Sequence, residues 1–508
     1  MSDIKKQKLS TKSIFFIVVV LFVVVTYYVV AMLQRYHVRE IRSNSLLISP
    51  KTVKFGGEMI SGEMFRGIET ARFEKDRKLI DEIKKVIAQK EMPSEIFKDK
   101  SKENANIALT LNDVFRLDND EELKILQAAA PKEDKWNITN ETLEQLEDTL
   151  THFELKRLTI RNVLSQPNTC FYFIFEQDEE FGEIVDVRAA DYLEDYLLLE
   201  EYAIARSLRD GRIEEALNSL VYIFRIAQLA SEAAVPAVRS SAAQIRLRAI
   251  DVMQAIVLDA KFNKRYLGGL YGMMQEQLKH WTPDRAVWIA DRASGMKTYH
   301  RILQYGLEAA LTPKEIEDLE NRGLLVFISR KQKKRKNNSA AENNNDSEND
   351  ETKETILLKN NFFNTHIADE IFYLQSMQKI IDDCKKPFYQ RIPILDEIND
   401  ELLNKMDKGQ ELVIAEILLR GIVRLMRLYA QDRAGCEIAF LAMSISLEKP
   451  TAPSLITNPF SEEEYNIDQT KDEENPNKKF ILVSSSGNRL PFCVPDYRTE
   501  TKETKKPE

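Results

Sequence analysis

The stretch "DYLEDYLLLEEYAIARSLRDGRIEEALNSLVYIFRIA", Asp191 to Ala227, decides the fold class. Tyr192, Tyr196, Leu199 and Ala203 recur at helical spacing and mark one face of a helix. "RDG" interrupts the pattern, and Ile213, Ala216, Leu217, Leu220, Val221 and Phe224 mark the face of a second helix. Two such helices closing through Gly211 predict a helical hairpin.

The same periodicity extends in both directions. Upstream it runs through "DNDEELKILQAAAP" and "NITNETLEQLEDTLTHFELKRLTIRNVLS", the latter opening with Thr139 or Asn140 as a cap. Downstream it continues in "VRSSAAQIRLRAIDVMQAIVLDA", "KRYLGGLYGMMQEQLKHW" and "TPDRAVWIADRASGMKTYHRILQYGLEAAL", where Thr282-Pro283 signals a helix start. Between them "TCFYFIFEQ", flanked by Pro167 and Asn168, is too short for a helix of its own and reads as an extended segment laid over helices. Later helices are "HIADEIFYLQSMQKIIDDCKK", "QRIPILDEINDELLNKMDK" and "ELVIAEILLRGIVRLMRLYAQDRAGCEIAFLAMSISLE". The last is read as one helix buried through Val413, Ile417, Leu418, Leu425 and Leu428. Glu416 and Arg420 pair on its surface, and its arginines form a solvated stripe. The expectation is a mainly α chain, an irregular stack of helical hairpins.

Composition agrees. With 16 glycines and 16 prolines in 508 residues, and 30% charged residues interspersed with apolar ones, helices are favoured over a sandwich or barrel. A net charge of −9 excludes a general nucleic-acid binder, which needs a basic footprint. Protein and lipid partners are expected instead. Cys170, Cys384, Cys436 and Cys493 lie far apart with no CxxC pair, and read as ordinary buried residues, a disulfide being the alternative.

"SIFFIVVVLFVVVTYYVVAML", Ser13 to Leu33, carries no charge and matches the length that spans a bilayer at about 1.5 Å per residue. Tyr27 and Tyr28 lie near one end. The exit "VVAMLQRYH" lacks the small residues of a cleavage site, so an uncleaved anchor is expected. Lys5, Lys6, Lys8 and Lys12 place the leading tail in the cytosol by the positive-inside rule, although Arg35, His37, Arg39 and Arg42 nearly balance them. The large domain is therefore expected outside the cytoplasm.

The resulting division is a basic tail over 1–12, a transmembrane anchor over 13–34 and a stalk or connector over 35–105, in which "ARFEKDRKLIDEIKKVIAQKE" is the one convincing helix. A helical-hairpin part follows over 106–329, a disordered charged linker over 330–353 and a second helical part over 354–448. A C-terminal β-hairpin unit over 449–495 and a disordered tail over 496–508 complete it. The linker, "RKQKKRKNNSAAENNNDSENDETK", offers almost nothing apolar to bury.

"YAIARSLRDGRIEEALNSLVYIF" resembles one tetratricopeptide unit locally, but it does not recur at a fixed period, so a regular solenoid is not expected. "TNPFSEEEYNI" followed by "KKFILVSSSGNRLPF" resembles the closing strand unit of uncharacterised, membrane-anchored helical envelope proteins of planctomycete-type bacteria. Asn458, Pro459 and Phe460 stand in the turn, Tyr465 and Ile467 on the first strand, and Phe480, Ile481, Leu482 and Val483 on the second. "NVLSQPNTCFYF" and "PFYQRIPILDEIND" extend that resemblance over most of 106–490. The ending is distantly similar to major pseudopilins of type II secretion. Asn458 replaces an Asp there, the calcium-binding aspartates are not evident, and the anchor lacks the prepilin pattern, so neither filament assembly nor calcium is carried over.

No phosphate loop, GxGxxG, GxSxG or HExxH is present. "LGGLYG", Leu267 to Gly272, lies amid helical sequence and suggests close packing or a turn rather than a phosphate site. Glu276 and His280, one turn apart beside Trp281, are the candidate polar cluster of a membrane-tethered enzyme; the competing reading is a pair of solvated side chains on the outside of a helix. His152, His300 and His366 are scattered. The sequence assigns no catalytic residue, cofactor or metal. It favours a protein-binding or scaffold module of the envelope, the alternatives being a tethered enzyme or an accessory subunit of a secretion or pilus-like machine.

Overall fold

The computed structural model describes residues 70–97, 105–115, 120–130, 136–172, 174–178, 182–186, 188–233, 235–305, 307, 311–321, 325–330, 353–358, 362–407, 412–450, 453–471, 479–485 and 488–498. The expected anchor and both terminal tails lie wholly or largely outside these residues, as does the interior of the expected linker. Among the described residues no helix is long and apolar enough to cross a membrane.

Helix α1 (Thr70–Ala88) is followed by a single turn, α2 (Pro93–Ile96), and by α3 (Ile107–Phe115) and α4 (Asp120–Ala128). Although α1 falls in the expected connector, it packs into a core through Leu79, Ile83 and Val86. Helix α5 (Asn140–Leu164) starts on Thr139, whose hydroxyl accepts from the Thr142 amide at 3.2 Å. Leu143, Leu146, Leu150, Phe153, Arg157, Ile160 and Leu164 bury one stripe of it at alternating spacings of three and four. One member of that stripe is charged.

The chain then extends. Cys170 bridges to Asn106, with Ile107 N donating to Cys170 O and Cys170 N to Ala105 O, both at 2.9 Å. An antiparallel hairpin follows, β1 (Ile174–Asp178) with β2 (Gly182–Asp186). Helices α6 (Arg188–Arg209) and α7 (Ile213–Glu232) form the expected hairpin. Gly211 at φ 72° ends α6, while Arg212 N donates to Ser207 O at 2.7 Å, the 6→1 bond of a glycine C-cap. Tyr196, Leu199 and Ala203 of the expected face are buried and Tyr192 half-buried, and burial of α6 extends well beyond that face, to every residue from Asp195 to Ala205. α3, α4, α5, α7 and α8 (Pro236–Leu258) surround it.

Asn263 caps α9 (Lys264–Lys279), and α10 (Asp284–Tyr305) begins directly after the Thr282-Pro283 signal. α11 (Pro313–Asn321) precedes β3 (Leu325–Arg330), which pairs antiparallel with β4 (Lys353–Leu358) from Leu325↔Leu358 to Arg330↔Lys353. Helices α12 (Phe362–Asp383) and α13 (Phe388–Asp407) follow. The stretch expected as one helix is two, α14 (Val413–Leu419) and α15 (Ile422–Ser446), broken at Arg420-Gly421. Its buried face is Ile414, Ala415, Leu419, Ile422, Met426, Tyr429 and Ala430. Of the expected face only Val413 is fully buried, whereas Ile417, Leu418, Leu425 and Leu428 are half-buried. The Glu416–Arg420 pair forms at 2.8 Å, and Arg420, Arg424 and Arg427 are exposed.

Two apolar cores result. The first joins α3 to α9 with the C-terminal half of α15; the second joins α1, α12, α13, α14 and the N-terminal half of α15. α8, α10 and α15 contribute to both. The chain closes not on a hairpin but on a three-stranded antiparallel sheet, β5 (Asn466–Lys471), β6 (Lys479–Ser485) and β7 (Asn488–Pro495), in that order. "NRLPFCVP" folds back as β7, and Ile481, Val483, Phe492 and Val494 enter the first core against α15 and α8. Cys170, Cys384, Cys436 and Cys493 are all free thiols.

Candidate functional site

The sequence candidates do not converge. Glu276 and His280 sit 3.2 Å apart at the end of α9, 60% and 57% exposed, with Lys279 at 3.6 Å from the same carboxylate. Among the described residues no group of three His, Cys, Asp or Glu could hold a metal. His152 pairs with Glu122 at 2.9 Å, whereas His300 and His366 are buried elsewhere. "LGGLYG" lies inside α9, and an added Cβ at Gly268, Gly269 or Gly272 would meet nothing within 4 Å, so these glycines mediate no close packing. Trp281, next in sequence to His280, is half-buried and faces a different set of groups.

Those groups lie where the two cores meet. Arg239 and Arg246, two turns apart on α8, share a buried stripe with Ala242, Ala249, Met253 and Ile256. Arg246 donates through Nε and Nη2 to the two oxygens of Asp432 on α15, both at 2.9 Å, and through Nη2 to Ser231 at 2.6 Å. The guanidinium carbons of Arg246, Arg433 and Arg239 stand 4.7, 4.9 and 5.1 Å from the Trp281 ring centroid. Arg239 also lies 5.3 Å from the Tyr429 ring. Burial, and next the charge of Arg246, push the Arg239 guanidinium down from its ordinary range. Burial pushes the Asp432 carboxyl up against the opposing pull of Arg246.

A second ionic cluster runs along α6. Glu200, wholly buried, accepts from Arg157 Nη1 at 3.1 Å, from Arg161 Nε and the Tyr196 hydroxyl at 2.7 Å each, and from Arg161 Nη2. Glu201, also wholly buried, meets Arg248 at 2.6 Å; burial nonetheless pushes its carboxyl up to about 7. Beside this pair a cleft of about 450 Å³ opens between α4, α6 and α8, lined by Asp191, Glu194, Asp195, Gln127, Gln244 and Arg248. Gln127 Nε2 donates to Asp195 Oδ1 at 2.7 Å, and burial raises the Asp195 carboxyl.

A third cluster fixes the C-terminal turn. Glu437 on α15, wholly buried, accepts from the backbone amides of Thr457 and Asn458 at 3.1 Å each, the Thr457 hydroxyl at 2.9 Å, the Tyr465 hydroxyl at 2.7 Å and Arg433 Nε at 2.6 Å. Asn458 adopts φ 33°, a left-handed conformation that Asn tolerates better than most residues, and its Nδ2 donates to Glu463 O at 2.6 Å.

No family model, curated protein or solved structure matches the chain. Its chemistry is therefore read from these groups alone. Glu200, Glu437, Asp432 and Glu201 are each engaged by at least one guanidinium, which ties them into helix packing. Carboxylates face open space along α13 at Asp396, Glu397, Asp400 and Glu401, where Lys379 and Lys405 pair with the glutamates, and in the cleft, whose support α6 is buried on its neighbouring turns. Sequence reasoning passed over the α8 arginines, although charged residues at core positions of a helical stripe were the available signal.

Proposed function

We propose that this chain is a single-pass, membrane-anchored binding module of the cell envelope. Residues 13–34 provide the anchor, and the helical body stands on the extracytoplasmic side. Its partner is a protein that presents a basic segment to the acidic cleft. The observation that carries this reading is the mounting of Asp191, Glu194 and Asp195 on α6, whose neighbouring turns are buried on all sides. Such a support holds a charged surface without reorganisation when a partner arrives. Arg248, the cationic group of the cleft wall, is turned to Glu201 at 2.6 Å and stands against the exposed carboxylates of Asp191 and Glu194, so the cleft favours positive charge. The resemblance of the C-terminal unit to anchored envelope proteins supports the location.

The test is crosslinking in native membranes, comparing the natural chain with Asp191→Lys/Glu194→Lys. Both positions are exposed, so the double substitution leaves the fold intact. A specific envelope protein recovered with the natural chain and lost with the charge-reversed one is the expected result. Equal recovery of that protein from both overturns the cleft as the docking surface. Full-length protein that stays soluble without detergent overturns the anchor. Proteolysis within 331–352 only after the inner membrane is permeabilised overturns the orientation.

A further inference from the structure

The two outer strands of the C-terminal sheet are finished differently. β7 is closed on its outer side. Pro491 and Pro495 have no N–H to offer, and Gln254 on α8 donates Nε2 to Cys493 O at 2.7 Å and accepts from Cys493 N at 2.6 Å. Helices α8 and α15 pack on the same strand. β5 has no such cover. Among the described residues it pairs with β6 alone, from Asn466↔Ser484 to Lys471↔Lys479, and Asn466 to Thr470 are all exposed. On an antiparallel edge strand alternate residues turn their N–H and C=O away from the neighbour, so one side of β5 is a row of backbone donors and acceptors open to a further strand. Ile467, 51% exposed, adds an apolar side chain beside that row.

Charge decides what can pair there. Glu462, Glu463 and Glu464 precede the strand, Asp468 lies in its middle, and Asp472, Glu473 and Glu474 follow it, with Lys471 the one cation over 462–474. A second copy pairing antiparallel about the strand centre would set Glu464 against Glu473 and Glu463 against Glu474, and like charges directly opposite destabilise a ladder. A segment carrying Lys or Arg at those rungs meets carboxylates instead. We infer that β5 is the receptor edge for an extended, basic segment of a partner protein, which adds to the sheet as a fourth strand. Backbone bonds hold the segment, and the acidic flanks select its charge while refusing a second copy. The inference needs neither the α6 cleft nor the anchor.

The experiment follows the fluorescence anisotropy of a dye-labelled synthetic peptide of alternating lysine and valine, titrated with detergent-solubilised full-length protein. The same peptide with glutamate in place of lysine is titrated in parallel. The expected result is saturable binding of the lysine peptide and none of the glutamate peptide. Glu464→Lys/Asp468→Lys, at two exposed positions, weakens the lysine peptide by about tenfold. Asp468→Pro and Gln469→Pro test the backbone, because neighbouring residues of a strand turn their N–H groups to opposite sides. One of the two removes a rung to β6 and lowers the thermal midpoint. The other removes only an outward donor, keeps the midpoint and weakens the peptide by about tenfold, the equivalent of about one hydrogen bond. No saturable binding of the lysine peptide, or equal binding of both peptides, means that the carboxylates only keep the edge vacant, and overturns the inference. Unchanged binding in the proline variant that keeps its midpoint overturns strand addition. Binding lost in Asp191→Lys/Glu194→Lys but kept in Glu464→Lys/Asp468→Lys seats the peptide in the α6 cleft, and overturns the edge as its receptor.

Discussion

Glu437→Ala isolates what one buried carboxylate does for the C-terminal unit. Truncation leaves four donors without their acceptor: the amides of Thr457 and Asn458, and the hydroxyls of Thr457 and Tyr465. Arg433 loses its Nε partner but keeps Leu455 O at 2.8 Å and Leu278 O at 3.4 Å. Each stranded buried donor costs about 1–3 kcal/mol taken alone, and these costs do not add because water can enter once the turn loosens. Breaking a buried ion pair from one side costs about 3–5 kcal/mol, which sets the expected loss near 4 kcal/mol. That is a large share of the roughly 5–15 kcal/mol by which a domain is stable. Burial and then the Glu437 charge push the Tyr465 phenol well above its ordinary range, so it remains the donor. The assay is urea denaturation of the full chain combined with amide exchange at Thr457 and Asn458. A loss below about 1 kcal/mol, or unchanged exchange at those two amides, would refute the carboxylate as the anchor of the turn.

Asp432→Ala strands Arg246 in the junction and is expected to cost about 3–5 kcal/mol, whereas Asp432→Leu/Arg246→Met removes both charges and costs far less; denaturant midpoints of the two variants decide this. Gly211→Ala forces a Cβ onto a residue at φ 72° and is expected to cost about 1 kcal/mol, read from the same midpoints, since the crowding Lys261 side chain can move aside. Glu201 titrates near 7 in the folded chain against 4.5 as its ordinary value. Between those values the folded state retains a proton that the unfolded chain has released, so this group's contribution falls as pH rises through the window. Glu201→Gln has no proton to lose, and the stability difference between it and the natural chain should change across that window and be level outside it. Parallel profiles would sink the assignment.

Much of the helical architecture was legible because it rests on local spacing. The α6–α7 hairpin, its Gly211 turn, the Thr139 cap and the start after Thr282-Pro283 each depend on residues within a few positions of one another. All-round burial of α6 was not legible in "LLLEEYAIA", because two adjacent glutamates are buried only where distant cations meet them. Their partners Arg157, Arg161 and Arg248 lie 43, 39 and 47 residues away in sequence, and periodicity carries no information about them. Strand β7 was missed for a different reason. Pro491 and Pro495 argue against a strand, yet β7 is an edge of the β5-β6-β7 sheet, where a missing N–H is tolerated. The break at Arg420-Gly421 was hidden because an apolar pattern continues across it, and only the shifted burial of α14 against α15 reveals two helices. The cleft and the arginine–tryptophan junction are assembled from distant segments, so no single stretch announces them.

The ladder between β3 and β4 makes 331–352 an insert whose entry and exit are neighbours, since Arg330 and Lys353 face each other across the last rung. Chain added there begins and ends at one place, and lengthening a closed excursion raises its entropy cost only logarithmically. A fluorescent reporter or affinity tag spliced between those rungs would therefore leave the spacing of both helical bodies unchanged, which makes this segment the natural handle for following the protein in cells.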